Sequence, residues 1–542
     1  MTLPVPIGLH YPGVVLEIAF RPDRSSDVPM ARQLADHLET LVRSGRLVGG
    51  SKLPASREAA RALGVSRKTI IAAYDQLAAR GLTASHVGQG TFVLPGDLPS
   101  RAVLRAAAGR APREFAWSGL LAREPAATPA GLALRRSEPP ERVPYDFRGG
   151  RIEASALPLT DLRWAVAHPF GSRTRVRELA AHHDPAGWPP LRREIARMLV
   201  RRGLSCDPGE IAVVNGLQHA VDLTARVLVE PGDAVVMEQP GYFGAALAFA
   251  ARGADVLGVD VDTEGLRTDR LARVLRLRRV KLVYVTPATQ CPTGAVMSPA
   301  RREAVLALAD EHQVPIFEDD YDNELRYAGP VQPALKATDP AGQIVYAGTF
   351  SKILFPGLRV GYVVAPRPLL RRVIAARAAS DFGSGVVEQA ALAGLLATRG
   401  LDRHLQRMRR LYAGRLAAML ASLCREMPAG TRWTEPSSGH LVWLTLPAGV
   451  DQDRLHQAAL ARGVAYGRGE IFFTDGRGAE HLALAFAAVD EATITKGVAR
   501  LGRAMREAAS AARADGLRRP AARAVAAERT GRRKSDGARR AR

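Results

Sequence analysis

The segment YAGTFSKILFPGLRVGYVVAP, residues 346–366, decides the fold. It reads as the end of a strand, a polar turn with one lysine, a Pro-Gly break, an arginine and a second strand. Thr349 stands three residues before Lys352 and Arg359 seven after it, so one loop holds a hydroxyl donor, an amine and a cation. Outward from this loop, over residues 144–508, short β-branched runs alternate with long helical patterns. The runs are IAVV, AVVME, ADVLGVD, KLVYVTP, PIFEDD, QIVYAGT and RVGYVVA. Strands alternating with helices predict a mainly parallel, doubly wound α/β sheet with helices on both faces. LVWLTL, GVAYG and HLALAFAAV, set among further helices, predict a smaller α/β subdomain.

A chain of 542 residues exceeds one ordinary core, so more than one domain is expected. Residues 96–143, rich in Ala, Pro and Arg, read as a linker between a compact module at 14–95 and the α/β module at 144–508. The formal net charge of +22 favours a polyanionic partner, nucleic acid first. Part of that excess sits in a basic tail, 509–542, which reads as a solvated extension able to add only non-specific phosphate attraction. No apolar run is long enough to cross a membrane, and the N-terminus lacks the pattern of a secretory signal. Cys206, Cys291 and Cys424 lie far apart and offer neither a disulfide framework nor a zinc spacing. A cytoplasmic protein without a metal is the expectation.

In MARQLADHLETLVRSGRL, the positions Leu34, Leu38, Leu41 and Val42 fall at helical spacing, and the pattern stops near Gly45. Ser56 is a candidate N-cap for a second helix that Gly64 ends. Ser66 opens a third, SRKTIIAAYDQLAARG, with Ile70, Ile71, Tyr74 and Leu77 as its apolar stripe. A short helix, a Gly turn and a helix beginning Ser66-Arg67-Lys68-Thr69 form a helix-turn-helix, whose second helix offers its N-terminal residues to the major groove. LTASHVGQGTFV then reads as two strands turned at Gly88 and Gly90. The motifs LPASREAARALGVSRKTIIAAYDQLAARG and GQGTFV resemble the winged helix-turn-helix of the GntR family. The resemblance implies double-stranded DNA as partner, contacts from Arg57, Arg67 and Thr69, and a Gly88–Gly90 wing in the minor groove. Arginine pairs bidentately with guanine, so Arg57 and Arg67 suit base reading and Lys68 suits phosphate.

A lysine fixed beside an anion site is what a Schiff base to pyridoxal 5'-phosphate (PLP) requires, with Thr349 and Arg359 on the phosphate. PIFEDDYDNELRY places Asp319 at a strand's end, where a carboxylate can pair with the pyridinium nitrogen, and Tyr321 can donate to the ring's phenolate oxygen. An acidic cluster of this kind also suits a magnesium ion or a surface turn, but either leaves the lysine segment without a role. VVNGLQHAV is a strand, a turn and a helix, with free N–H groups near Gly216, Leu217 and Gln218 as a phosphate cup. QPGYFGA offers Tyr242 as a ring to stack on the cofactor, and VTPATQCPTG brings Gln290 and Thr293 near the site. In their order and spacing NGLQ, QPGY, TPATQCPTG, EDDYD and GTFSKILFPGLRVGY resemble the class I aminotransferases of PLP fold type I. Joined to a GntR-like N-terminus, they resemble the MocR subfamily of transcription regulators. That resemblance implies a head-to-tail homodimer in which PLP serves sensing rather than net transamination. An active aminotransferase carrying a DNA-binding domain is the alternative.

Four positions depart from the pattern. Where such domains carry a carboxylate-binding arginine in a late strand, this chain has Ala483 within LALAFA. Losing that charge-assisted pair removes about 1.5–3 kcal/mol. YGRGEIFF holds Arg468 where proline is usual, so the cation can have moved. His182 and Thr289 replace the usual tyrosine and histidine. Ordinary amino acids are therefore doubtful effectors, and a B6 vitamer, an amine, or a sulfonate held by Arg468 is expected instead.

Overall fold

A computed structural model describes residues 8–11, 14–17, 20, 23, 26–86, 90–94, 143–181 and 184–510. All but the last residue of the expected linker, nearly all of the expected tail, Gly88 and His182 lie outside these residues. The chain forms two compact units, Met1–Ala122 and Arg123–Arg542.

The first unit begins with a hairpin of β1 (Gly8–Tyr11) and β2 (Val14–Glu17). Three helices follow, Met30–Arg43, Ser56–Leu63 and Arg67–Ala79, then an antiparallel pair, β3 (Thr83–His86) and β4 (Gly90–Val93). Leu34, Leu38, Leu41 and Val42 pack on Ala59, Ile70, Ala73, Tyr74 and Leu77, as the helical spacing requires. Two details correct the sequence reading. Ile71 is 41% exposed, because the buried stripe runs through 70, 73, 74 and 77 and leaves its neighbour on the outer side. Ser56 is the first helical residue rather than the cap; Ala55 holds the cap position, and the Ser56 hydroxyl instead accepts from Arg67 Nε at 3.2 Å. Gly64 does end the helix, at φ +62° in the left-handed region.

The second unit is built on an eight-stranded sheet. Its strands are β6 (Ile211–Val214), β7 (Ala234–Gln239), β8 (Asp255–Asp262), β9 (Gly265–Leu266), β10 (Val280–Val285), β11 (Ile316–Asp320), β12 (Ile344–Thr349) and β13 (Gly361–Val364). They lie in the order β6-β13-β12-β11-β10-β7-β8-β9. The pairs β7–β8, β7–β10, β10–β11 and β11–β12 are parallel. Successive residues serve opposite faces. Val235, Met237, Phe317 and Val345 join one core with the helices Leu217–Leu228, Phe243–Ala251 and Arg367–Asp381. Val236, Val283, Ile316 and Ile344 join another with Thr268–Leu277 and Pro299–Glu311. Helices on both faces explain why the strands read as continuous apolar runs.

β13 runs antiparallel to both β12 and β6. Its connection from β12 is the loop 350–360, too short for the helical crossover that a parallel return needs. The smaller sheet has the order β14 (Arg432–Trp433), β15 (Leu441–Thr445), β17 (His481–Ala485), β16 (Val464–Arg468) and β5 (Tyr145–Phe147). Among the described residues no helix is long and apolar enough to cross a membrane.

Candidate functional site

In the first unit Ser66, Arg67, Lys68 and Thr69 stand at the start of Arg67–Ala79, whereas Arg57 lies in the preceding helix Ser56–Leu63. Ser66 caps this helix, its hydroxyl accepting from the Thr69 amide at 3.1 Å and lying 2.8 Å from the Thr69 hydroxyl. Arg57, Arg67 and Lys68 are exposed and Thr69 is half-buried. Arg67, Lys68 and Thr69 at the N-terminus of one helix match what a major-groove reading helix presents. Gly90 opens β4 at φ +108°, and a Cβ there would stand 2.7 Å from Lys52 Cε, so the wing passes close over that lysine. Tyr74 ties the scaffold, donating to the Pro54 carbonyl at 3.0 Å.

In the second unit a cavity of about 370 Å³ opens at the C-terminal ends of the parallel strands. Leu217, Tyr242, Asp319, Tyr321, Thr349 and Lys352 line it, together with Cys291, His440 and Phe243. Asp319 is buried at the end of β11, and its Oδ2 accepts from the Tyr284 hydroxyl. Its Oδ1 is buried with no partner among the described residues. Burial pushes the Asp319 carboxyl well above the usual aspartate range, with the Tyr284 hydroxyl opposing. Burial likewise pushes the Lys352 amine below its usual range, opposed by Asp322, Cys291 and Asp319. A larger neutral fraction makes that amine a better nucleophile.

Gly216, Gln218 and Arg359 adjoin this lining. Gly216, at φ +81°, precedes the helix Leu217–Leu228, and a Cβ on it would meet the Arg359 guanidinium 3.1 Å away. Arg359 donates to the Asn215 carbonyl at 2.8 Å. Gly361 comes so close to Gly216 that its Cβ would lie 2.9 Å from the Gly216 backbone. The loop after β12 and the turn after β6 are thereby pressed together, with Arg359 beside free helix N–H groups. This is the chemistry of a phosphate site. Thr349 Oγ1 lies 3.0 Å from Ser351 Oγ, which adds a second hydroxyl to the same turn. Tyr242 is fixed by donating to Gln218 Oε1 at 3.0 Å. An unpartnered buried carboxyl oxygen, a buried lysine whose pKa burial lowers and this anion cup together fit PLP.

Gln290 and Thr293 do not line the cavity. Gln290 is buried and donates to the Pro240 carbonyl at 2.7 Å, and the Thr293 hydroxyl donates to Gln290 Oε1 at 2.5 Å. They brace the loop, and Cys291 between them faces the cavity. Arg468 does line it, but its guanidinium is already taken, 2.7 Å from Glu470 and 2.7 Å from Asp453. Arg468, expected as a free anchor for a sulfonate, is instead paired with the chain's own carboxylates.

Sequence reasoning missed Tyr284, the Asp322–His440 pair (Nδ1 to Oδ2, 2.9 Å), Arg148, His456 and Tyr466. Burial, then Lys352, lowers the His440 pKa, with Asp322 opposing. A tyrosine inside the apolar run KLVYVTP was the one visible signal; the others come together only through the subdomain sheet.

Residues 158–501 match the family of aminotransferases class I and II, and residues 30–93 match the bacterial regulatory proteins of the gntR family. The chain is 34% identical to a probable rhizopine catabolism regulatory protein, MocR, of Rhizobium meliloti, over 88% of this chain and 94% of that one. It is 33% identical to the HTH-type transcriptional regulator TauR of Rhodobacter capsulatus, over 85% and 94%. Among solved structures, LysN, an α-aminoadipate aminotransferase of Thermus thermophilus complexed with N-(5'-phosphopyridoxyl)-L-leucine, is similar at a TM-score of 0.66 and 30% identity, covering 73% of this chain and all of its own.

Proposed function

Because the chain belongs to the aminotransferase class I and II family and carries a gntR-family regulatory domain, as MocR regulators do, we propose that it senses a small amine at Lys352 and reports it to DNA. The chain is a DNA-binding transcription regulator whose second domain has the fold of PLP-dependent aminotransferases. Lys352 would hold the cofactor through its amine, and Asp319 Oδ1 would take the ring's N–H. Thr349, Arg359 and the N–H groups of Leu217 and Gln218 would hold the phosphate, with Tyr242 against the ring and Tyr321 at its phenolate; the Gly216 N–H, expected to join them, instead donates to the Val214 carbonyl at 2.8 Å. When bound, PLP supplies an electron sink conjugated to an amine's carbon. Arg57, Arg67 and Thr69 would read bases, while Ser66, Lys68 and the Gly88–Gly90 wing would set register on the duplex.

The observation that carries this reading is Asp319, whose buried Oδ1 lacks a partner, lining the same cavity as Lys352. Sensing is favoured over turnover because the strand position facing the cavity is Ala483, which leaves a methyl where an amino acid's carboxylate would need a cation. A cytoplasmic head-to-tail homodimer completes the proposal, and sedimentation of the full chain checks its size. Lys352→Ala tests the whole. The near-visible band of the lysine-bound cofactor should vanish while binding to duplex DNA survives, since the DNA residues lie in the other compact unit. A band that persists in the variant would exclude Lys352 as the attachment point.

A further inference from the structure

The cavity continues past Lys352 to a second end lined by Arg148, His456, Tyr466, Arg468 and Ala483. Its two guanidiniums are both engaged by carboxylates of the chain itself. Arg148 Nε and Nη2 reach Asp146 Oδ1 and Oδ2 at 2.9 and 2.5 Å. Arg468 is held between Glu470 and Asp453. An incoming carboxylate would find no uncommitted guanidinium among the described lining residues, only the methyl of Ala483.

The neutral polar groups at this end are the ones without partners. Tyr466 is 2% exposed, and its hydroxyl makes no hydrogen bond among the described residues. His456 packs edge-on to the Tyr466 ring, centroids 5.7 Å apart, and its Nδ1 is buried and unpartnered as well. Leaving such groups dry and unpaired is costly, and a ligand's hydroxyls satisfy both without bringing charge. Burial, then Arg468, lowers the His456 pKa, with Asp453 and Glu470 opposing and Arg148 adding to the lowering.

We propose that the effector is a primary amine bearing hydroxyl groups and no carboxylate, an amino polyol whose amine enters at Lys352 and whose hydroxyls meet Tyr466 and His456. This rests on the sensing function proposed above. In ligand terms the far end of the cavity is a neutral hydroxyl site, where an amino-acid enzyme would keep a cation.

The test uses the full chain loaded with pyridoxal phosphate. It is titrated with glucosaminitol and with glucosaminic acid, which differ only in a hydroxymethyl group against a carboxylate at the carbon next to the amine. The near-visible spectrum is the readout. The amino polyol should half-saturate at a concentration at least about tenfold lower than its acid, one decade being the smallest effect expected for a missing charge-assisted pair. Ala483→Arg should narrow or invert that preference, and Tyr466→Phe should weaken the polyol severalfold. An acid that binds as well as the polyol overturns the inference. So does a loaded protein whose band responds to neither compound, although attachment at Lys352 then stands. Absence of any band on loading removes both.

Discussion

Asp319→Asn is the sharpest perturbation of the cofactor site, because it should act with opposite signs on two measurements. In the native chain the carboxylate has one oxygen committed to Tyr284 and one buried without a partner. A cofactor ring N–H meeting Oδ1 forms one charge-assisted hydrogen bond, worth about 1.5–3 kcal/mol. At about 1.4 kcal/mol per decade, losing it weakens cofactor binding roughly 10–100-fold. Without cofactor the substitution should be neutral or stabilising. Burial disfavours the native carboxylate, whereas an amide carries no charge and still accepts from Tyr284. The assay is a pyridoxal phosphate titration of cofactor-stripped protein, followed by absorbance, beside thermal melts of the same stripped samples. A dissociation constant within about threefold of wild type would refute the assignment of Oδ1. A stripped variant melting several degrees lower would show instead that Asp319 is a structural residue.

On duplex DNA of mixed sequence, Lys68→Ala should reduce the slope of log affinity against log salt by about one, as one lost phosphate contact requires. Arg67→Ala should cost about 1–3 kcal/mol on a specific site and less on mixed sequence, which a gel-shift comparison reads directly. Ser66→Ala removes the hydroxyl that accepts from Thr69 and should lower stability by about 1 kcal/mol, seen as an earlier melt of the DNA-binding unit. Burial pushes Glu238 up to about 7, with Thr286 and Gln290 opposing. A raised acid contributes stability below its unfolded value of about 4.3 and loses it as pH rises through the folded one. The melting temperature of wild type minus that of Glu238→Gln should therefore fall between about pH 5 and 8. The difference isolates the group, because buried histidines such as His404 titrate with the opposite sign.

Local pattern was enough for much of this molecule. Leu34 to Val42 and Ile70 to Leu77 announced their helices, and seven β-branched runs became strands of the large sheet. The loop around Lys352 and the strand end at Asp319 were legible because each carries its chemistry within a few residues. What escaped notice depends on distant partners. Tyr284 and Asp319 meet across adjacent strands, and Asp322 and His440 are 118 positions apart. Arg468 looked like a spare cation until Asp453 and Glu470 closed on it. The direction of β13 was equally hidden, since an isolated apolar run does not say which way it enters a sheet.

That antiparallel strand has a thermodynamic consequence. The segment 350–360 leaves β12 and returns at once into β13, so both its ends are welded to neighbouring strands of one sheet. Its conformational entropy is surrendered when the domain folds, and ligand association has little left to remove. A small molecule arriving at Lys352 therefore meets a rigid receptor on that side. Whatever rearrangement accompanies recognition must come from the opposite wall, the subdomain carrying Tyr466.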